Sequence, residues 1–328
     1  MTRIISAESI RASARFEDLI EPVSRAFAET SAGLADNGLI VMFPAERPEL
    51  GDVYVKTGTL QGHDVYIVKV SPWFSSNVEQ GQSQGGFVAV FDSSTGQTLA
   101  LLNDEHYLSD IRTAAAGAVA ARMLAPSNIG TAAVLGAGVQ AYWQPLALYR
   151  ERPFETLAIW ARSVYKAEDL KARLSEKLPG VEIRCSSDIE RTVRSADVLI
   201  TATHAREPLV RGEWLRQGAH ITAVGADDAT KCELDATALQ RARVFVDTRA
   251  TAAANGDVHR AIRCGSYSIE ELSGELGEVI SGQNPGRTSD DDITIAKFVG
   301  IGAQDLVAAE MTLAKLSPAA ATLAACLT

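Results

Sequence analysis

The chain has 328 residues, too many for one small core and about right for two domains. It is 46% hydrophobic and 22% charged, an ordinary composition for a globular protein. A net charge of −10 argues against a nucleic-acid or anionic-membrane partner, since both need concentrated positive charge, but leaves room for a few basic residues around a small anion.

Cys185, Cys232, Cys264 and Cys326 form no CxxC pair and no Cys/His metal spacing, so they read as small buried hydrophobes in a reducing cytoplasm. No metal is expected. The N-terminus lacks the apolar run of a signal peptide, and no stretch approaches the roughly 20 apolar residues of a membrane span. The expectation is a soluble, cytoplasmic protein.

Residues 7–30 carry Ile10, Phe16, Leu19, Ile20, Val23 and Phe27 at helical spacing and predict one or two amphipathic helices. Between about 52 and 103 short β-rich runs follow one another. Gly62-His63-Asp64, Gly85-Gly86 and Ser94-Thr95-Gly96 punctuate them, so this sheet should be largely antiparallel. Ile111 to Ala125 predicts an Ala-rich helix ended by Pro126. The pattern then becomes strand–helix–strand, with strands expected at 131–135, 156–160, 197–201, 220–224 and 243–247. That is the grammar of a parallel sheet with crossover helices. Residues 303–325 read as a final helix. The fold expected is α/β: a doubly wound Rossmann domain at 127–304 and an α+β substrate-binding and dimerisation domain at 1–126, completed by a helix at 305–328.

Gly136-Ala137-Gly138-Val139-Gln140-Ala141 matches G-x-G-x-x-A. It follows the apolar run Ala132–Leu135 and opens a helix, the context a dinucleotide site requires. Gly136 permits the tight turn, Gly138 lets backbone N–H groups approach a pyrophosphate, and Ala141 lets the helix lie close to the strand. Pro145 should kink or shorten that helix. An NAD-preferring site usually carries an acid at the end of the second strand, but this chain reads Trp160-Ala161-Arg162-Ser163. Arg162 and Ser163 suit a 2′-phosphate, so the expected cofactor is NAD(P)H, with NADPH favoured.

These motifs converge with others along the chain. Val68-Lys69-Val70, Tyr107-Leu108-Ser109-Asp110-Ile111-Arg112-Thr113, Gly136–Gln140, Thr201-Ala202-Thr203 and Val224-Gly225-Ala226-Asp227 occur in order. Lys231, Glu233-Leu234-Asp235, Val299-Gly300-Ile301 and Asp305-Leu306 follow. With them the chain resembles the ornithine cyclodeaminase/mu-crystallin family over nearly its whole length. It looks most like the branch of ectoine-utilisation cyclodeaminases and imine reductases. The resemblance implies that Lys69 and Arg112 hold a substrate carboxylate near the nicotinamide and that Asp227 is the acid/base. Arg47 matches another family Arg near the carboxylate, in a loop that differs. Thr203 and Gly225 match positions near the cofactor.

The residue types suit those roles. A bidentate Arg orients a carboxylate. A carboxyl beside an imine nitrogen can exchange its proton. Lys69 stands in an otherwise apolar run. A cation such as Arg112 at a helix start would oppose the helix dipole and needs another reason to be there. Asp228 reads as a solvent-facing turn residue, and His106 and His204 as structural. Where ornithine-specific members carry a Glu for the distal ammonium, this chain has Lys56. Unless Lys56 points elsewhere, that reversal favours a substrate with a second carboxylate, as in iminosuccinate. The expected activity is NAD(P)H-dependent reduction of a small anionic α-imino acid to an amino acid, by a homodimer. The alternatives are a cyclodeaminase that releases ammonia and recycles NAD, and a non-enzymatic binding protein like mu-crystallin.

Overall fold

The computed structural model describes residues 2–317 apart from Pro48 and Ser83. The chain divides into two compact units, one of Met1–Arg112 with Ile301–Thr328 and one of Thr113–Gly300. The units divide between Arg112 and Thr113 and again between Gly300 and Ile301.

The first unit opens with β1 (Arg3–Ile5), α1 (Ala7–Ser13) and α2 (Phe16–Ser31). Ser6 caps α1 by accepting a hydrogen bond from the Ser9 N–H. The apolar stripe of α2, from Phe16 through Leu19, Ile20 and Val23 to Phe27, is buried as its spacing predicts. Then come β2 (Ala35–Met42), β3 (Gly51–Leu60), β4 (Val65–Phe74), α3 (Ser75–Glu79), β5 (Phe87–Asp92) and β6 (Thr98–Leu102). The sheet order is β1-β6-β5-β4-β3-β2, antiparallel except that β1 runs parallel to β6. The β3–β4 register sets Lys56 opposite Lys69, so both side chains leave the same face. The helix α4 (Tyr107–Leu124) begins four residues earlier than expected, and the division between the units falls within it.

The second unit is a parallel α/β sheet. It begins with β7 (Ile129–Leu135), α5 (Val139–Glu151), β8 (Phe154–Trp160), α6 (Val164–Ser175), β9 (Glu182–Ser186) and α7 (Ile189–Ser195). It continues through β10 (Val198–Thr201), β11 (His220–Ala223), α8 (Ala236–Arg241), β12 (Arg243–Val246), α9 (Arg249–Ala254) and α10 (Gly256–Arg263). It ends with β13 (Gly274–Glu275), α11 (Leu276–Ile280) and β14 (Thr294–Lys297). The strand order is β13-β12-β14-β11-β10-β7-β8-β9, and every pairing is parallel. The central strands β10 and β11 are buried at every residue, as expected when helices cover both faces. Pro145 does not shorten α5, which continues to Glu151; the Ala141 carbonyl simply loses its intrahelical donor.

The closing helix of the first unit is α12 (Gly302–Lys315); the expected extension beyond residue 317 lies outside the described residues. Its start rests on β3 through backbone alone. A Cβ at Gly58 would lie 2.3 Å from the Gly302 carbonyl carbon, and one at Gly302 would lie 1.9 Å from the Thr57 oxygen. The Asn37 side chain on β2 accepts from the Ala303 N–H at 2.7 Å, satisfying one orphan donor of the first turn. Gly302→Ala should therefore force α12 off β3 and destabilise the protein by roughly 1–3 kcal/mol, read as a lower midpoint in thermal unfolding.

Candidate active site

In the first unit a cluster of buried charge gathers on the sheet face beneath α12. Lys69 is 2% exposed and Arg112 6%. Lys69 Nζ donates to Asp305 Oδ1 at 2.8 Å and to Ser109 Oγ at 2.8 Å. Arg112 Nε donates to the same Asp305 oxygen at 2.9 Å, and its Nη1 donates to Gln304 Oε1 at 3.1 Å. Lys56 is likewise buried and lies 5.8 Å from the Tyr54 ring centre. Burial by itself would raise the Asp305 pKa, but the charges of Arg112, Lys69 and Lys56 outweigh it and hold the carboxyl well below the usual range. Burial pushes the Lys69 ammonium down from its usual range; the Asp305 charge opposes that shift and Arg112 adds to it. Lys69 and Arg112 therefore share one firmly ionised carboxylate, and the charge of Lys56 adds to its stabilisation.

The approach to α4 positions this cluster. Asp104 is buried and accepts from the Leu108 N–H at 3.0 Å, and its burial raises its pKa. Glu105 and His106 follow in the left-handed region, with φ of 48° and 73°. Two such residues in succession cost on the order of 1–3 kcal/mol each and are tolerated where surrounding structure enforces them. Because α4 starts at Tyr107, Arg112 sits in its second turn, away from the helix end. The dipole argument for Arg112 therefore gives way to a simpler cause, the ion pair with Asp305. Arg47 does not share these contacts: it is exposed in the loop before β3 and pairs with Glu49 at 3.4 Å.

In the second unit the expected dinucleotide residues lie at the carboxyl ends of the strands. Gly136 has φ of 126°, and a Cβ there would lie 2.3 Å from the Ala202 carbonyl oxygen. Gly138 is the N-cap of α5, has open space where a Cβ would stand, and no side chain caps that first turn. Val139 is 47% exposed beside it, and Gln140 accepts from the Gln144 amide at 3.1 Å. An uncapped helix start behind a glycine turn fits a pyrophosphate. At the end of β8, Arg162 is exposed and Ser163 caps α6 through the Lys166 N–H at 3.3 Å.

Thr203 and Gly225 are held by a residue that sequence reasoning did not assign a role. The buried Glu233 carboxylate accepts from the Thr203 N–H at 2.7 Å, from the Thr203 hydroxyl at 2.8 Å, from Thr201 Oγ1 at 2.7 Å and from the Gly225 N–H at 2.9 Å. Asp257 in turn accepts from the Glu233 and Leu234 N–H groups at 2.6 and 2.8 Å. Lys297 donates to the Ala226 carbonyl at 2.5 Å, and Asp247 accepts from the Val299 and Gly300 N–H groups. The available signal was an acid in the apolar run Cys232-Glu233-Leu234.

Asp227 is a third exposed, and the Lys231 ammonium donates to it at 2.8 Å. Asp228 is not solvent-facing as its place in the turn suggested. It is buried, lies 3.2 Å from the same ammonium, and accepts from the Thr230 N–H and hydroxyl and the Lys231 N–H. Asp228 thus shapes the loop that presents Asp227. His204 is exposed after β10. Among the described residues there is no His/Cys/Asp/Glu group suited to a metal, and no helix long and apolar enough to cross a membrane.

Comparison with known proteins identifies the family. The profile of the ornithine cyclodeaminase/mu-crystallin family matches residues 1–318, and the chain belongs to that family. An uncharacterized cyclodeaminase of Sinorhizobium fredii is 41% identical over 263 residues, 80% of this chain and 79% of that protein. The structure of Thermococcus litoralis Δ1-pyrroline-2-carboxylate reductase with NADH and L-proline superposes with a TM-score of 0.89 at 28% identity, covering 96% of this chain and 97% of that one. The iminosuccinate reductase of Paracoccus denitrificans with NAD+ gives 0.83 at 28% identity, covering 95% of each.

Glu233→Ala would leave buried donors on both strand-end loops without an acceptor. A loss on the order of 3 kcal/mol is expected, measurable as a lowered midpoint in urea unfolding.

Proposed function

We propose that this protein is an NAD(P)H-dependent reductase that converts an α-imino acid to an α-amino acid. The observation that carries the reading is the burial of Lys69 and Arg112 on one carboxylate oxygen of Asp305, with the buried Lys56 beside Lys69 in the strand register. Lys69 and Arg112 together offer an anionic substrate a buried ammonium and a buried guanidinium. Lys69 and Arg112 bind the α-carboxylate, and the guanidinium fixes its plane. Asp227, partly open to solvent, exchanges the proton on nitrogen. The nicotinamide supplies the hydride for the carbon that bears that nitrogen. The Gly136–Gln140 turn, Thr203 and Gly225 hold the dinucleotide, and Arg162 with Ser163 takes a 2′-phosphate, which favours NADPH.

Lys56 reads the distal end of the substrate. At about 4 Å and an effective dielectric of 20, one contact with a second carboxylate is worth about 4 kcal/mol before solvation losses. A substrate of the iminosuccinate kind fits this charge, and a distal ammonium does not. The 41% identical cyclodeaminase supports a second reading, in which a diamino acid is oxidised, closes a ring and regains the hydride, with ammonia released and no net change in cofactor.

Both readings meet in one assay. Loss of NADPH or NADH is followed with oxaloacetate plus ammonia, pyruvate plus amine, and cyclic ketimines, and ammonia release is followed with diamino acids. The reductase reading expects turnover of an imine, fastest with a dicarboxylic one; absence of turnover with all of them refutes it. Lys56→Glu should raise KM for the dicarboxylic imine at least about tenfold and leave a monocarboxylic imine nearly unchanged.

The edge strand β2 also bears on assembly. Ile40 is 60% exposed and Met42 45%, with Phe43 just beyond at 38%. We assign this edge to a homodimer. Light scattering should give twice the chain mass, and Ile40→Lys with Met42→Lys should give the monomer.

A further inference from the structure

Asp305 holds an unusual position in the charge cluster. One of its oxygens accepts from both Lys69 and Arg112, at 2.8 and 2.9 Å, while the other is buried and has no hydrogen-bond partner among the described residues. A buried carboxylate oxygen left in this way is a cost that a purely structural ion pair would avoid. The donors facing Asp305 are also only partly used. Lys69 gives one proton to Asp305 and one to Ser109, which leaves a third. Arg112 gives Nε to Asp305 and Nη1 to Gln304, and its Nη2 makes no hydrogen bond to the described residues.

We propose that Asp305 is a positioning residue that presets Lys69 and Arg112 as a pair of donors for the substrate carboxylate. The proposal rests on the α-carboxylate role given to that pair above. Asp305 reaches both cations from the first turn of α12, which is pinned by the Gly58–Gly302 contact and by Asn37. It therefore fixes where the two unused donors stand before any substrate arrives, which lowers the ordering cost of binding.

Asp305 also keeps Lys69 useful. The charged groups acting on the Lys69 ammonium are Arg112 from α4, Asp104 from the segment before α4 and Asp305 from α12, and Lys56 stands opposite Lys69 in the β3–β4 register. Burial and the charge of Arg112 disfavour its charged form. Asp305 is the close carboxylate that restores it, and a neutral amine would bind an anion poorly.

Asp305→Asn keeps the shape and an acceptor but removes the charge. KM for the imino acid should rise about tenfold or more, with kcat changed less than about threefold. A second reading needs no substrate. In the variant the folded-state pKa of Lys69 falls further below its unfolded value. The unfolded chain then binds the extra proton, and variant stability rises with pH through that window. The deficit in Tm against wild type should therefore be largest near about pH 7 and narrow toward about pH 10. An unchanged KM, or a Tm deficit that stays constant with pH, overturns the proposal. Should wild type reduce no imine, the functional reading fails while the Tm comparison still decides the role of Asp305. Should the variant not fold, wild type decides: 1/KM must stay level from about pH 6.5 to 8.5, and a fall centred within that range refutes the role.

Discussion

One carboxylate between two buried cations is the constraint on which the first unit depends. Lys69 comes from a strand, Arg112 from a helix, and Asp305 from a helix far along the chain. Each alone would be an expensive residue to bury, and removing one partner from such a group commonly costs about 3–5 kcal/mol. The backbone features nearby serve this arrangement. The Lys56–Lys69 register puts two cations on one face, and the left-handed Glu105 and His106 bring the chain into α4 so that Arg112 reaches inward. The same features that look costly one by one gather three buried cations on one sheet face of a protein whose total charge is −10.

The second unit uses buried acids for a different purpose. Glu233, Asp257 and Asp247 mostly accept from backbone N–H groups of the loops that follow the strands. Loops of this kind would otherwise have many conformations, because their residues are small and their donors unpaired. A carboxylate that accepts several N–H bonds fixes them at little steric cost. Thr203 and Gly225 are thereby placed without large side chains occupying the space around them.

Much of this was legible in the sequence, and the gaps have physical causes. The glycine turn after Leu135 and the isolated Lys69 stand out because each breaks an apolar run for a local reason. The strands at 131–135 and 156–160 showed as continuous apolar runs and are slightly longer in the structure. The strand β2 lay outside the β-rich runs read between 52 and 103; its Asn37 accepts from the first turn of α12. The strands β9, β13 and β14 are short or polar, and β14 ends on Lys297, a fully buried cation that hides the apolar pattern. The partnership of Lys69 with Asp305 spans 236 positions, and no periodicity encodes a pairing at that distance. Asp228 was misread because its neighbours mark a turn, and a turn can be buried when its donors close on one carboxylate.

The place of β14 in the second sheet has a consequence for how the chain is made. It is the last strand of its unit, yet it lies between β11 and β12. Until it emerges from the ribosome, β12 and β13 have no way to join the strands already formed. The helix α12 follows at once and brings the counter-charge for Lys69 and Arg112. Both units therefore wait for almost the same late stretch of chain before either can close. Until that stretch arrives the sheet edges that will receive β14 stay unpaired and apolar, a state that holding chaperones would recognise.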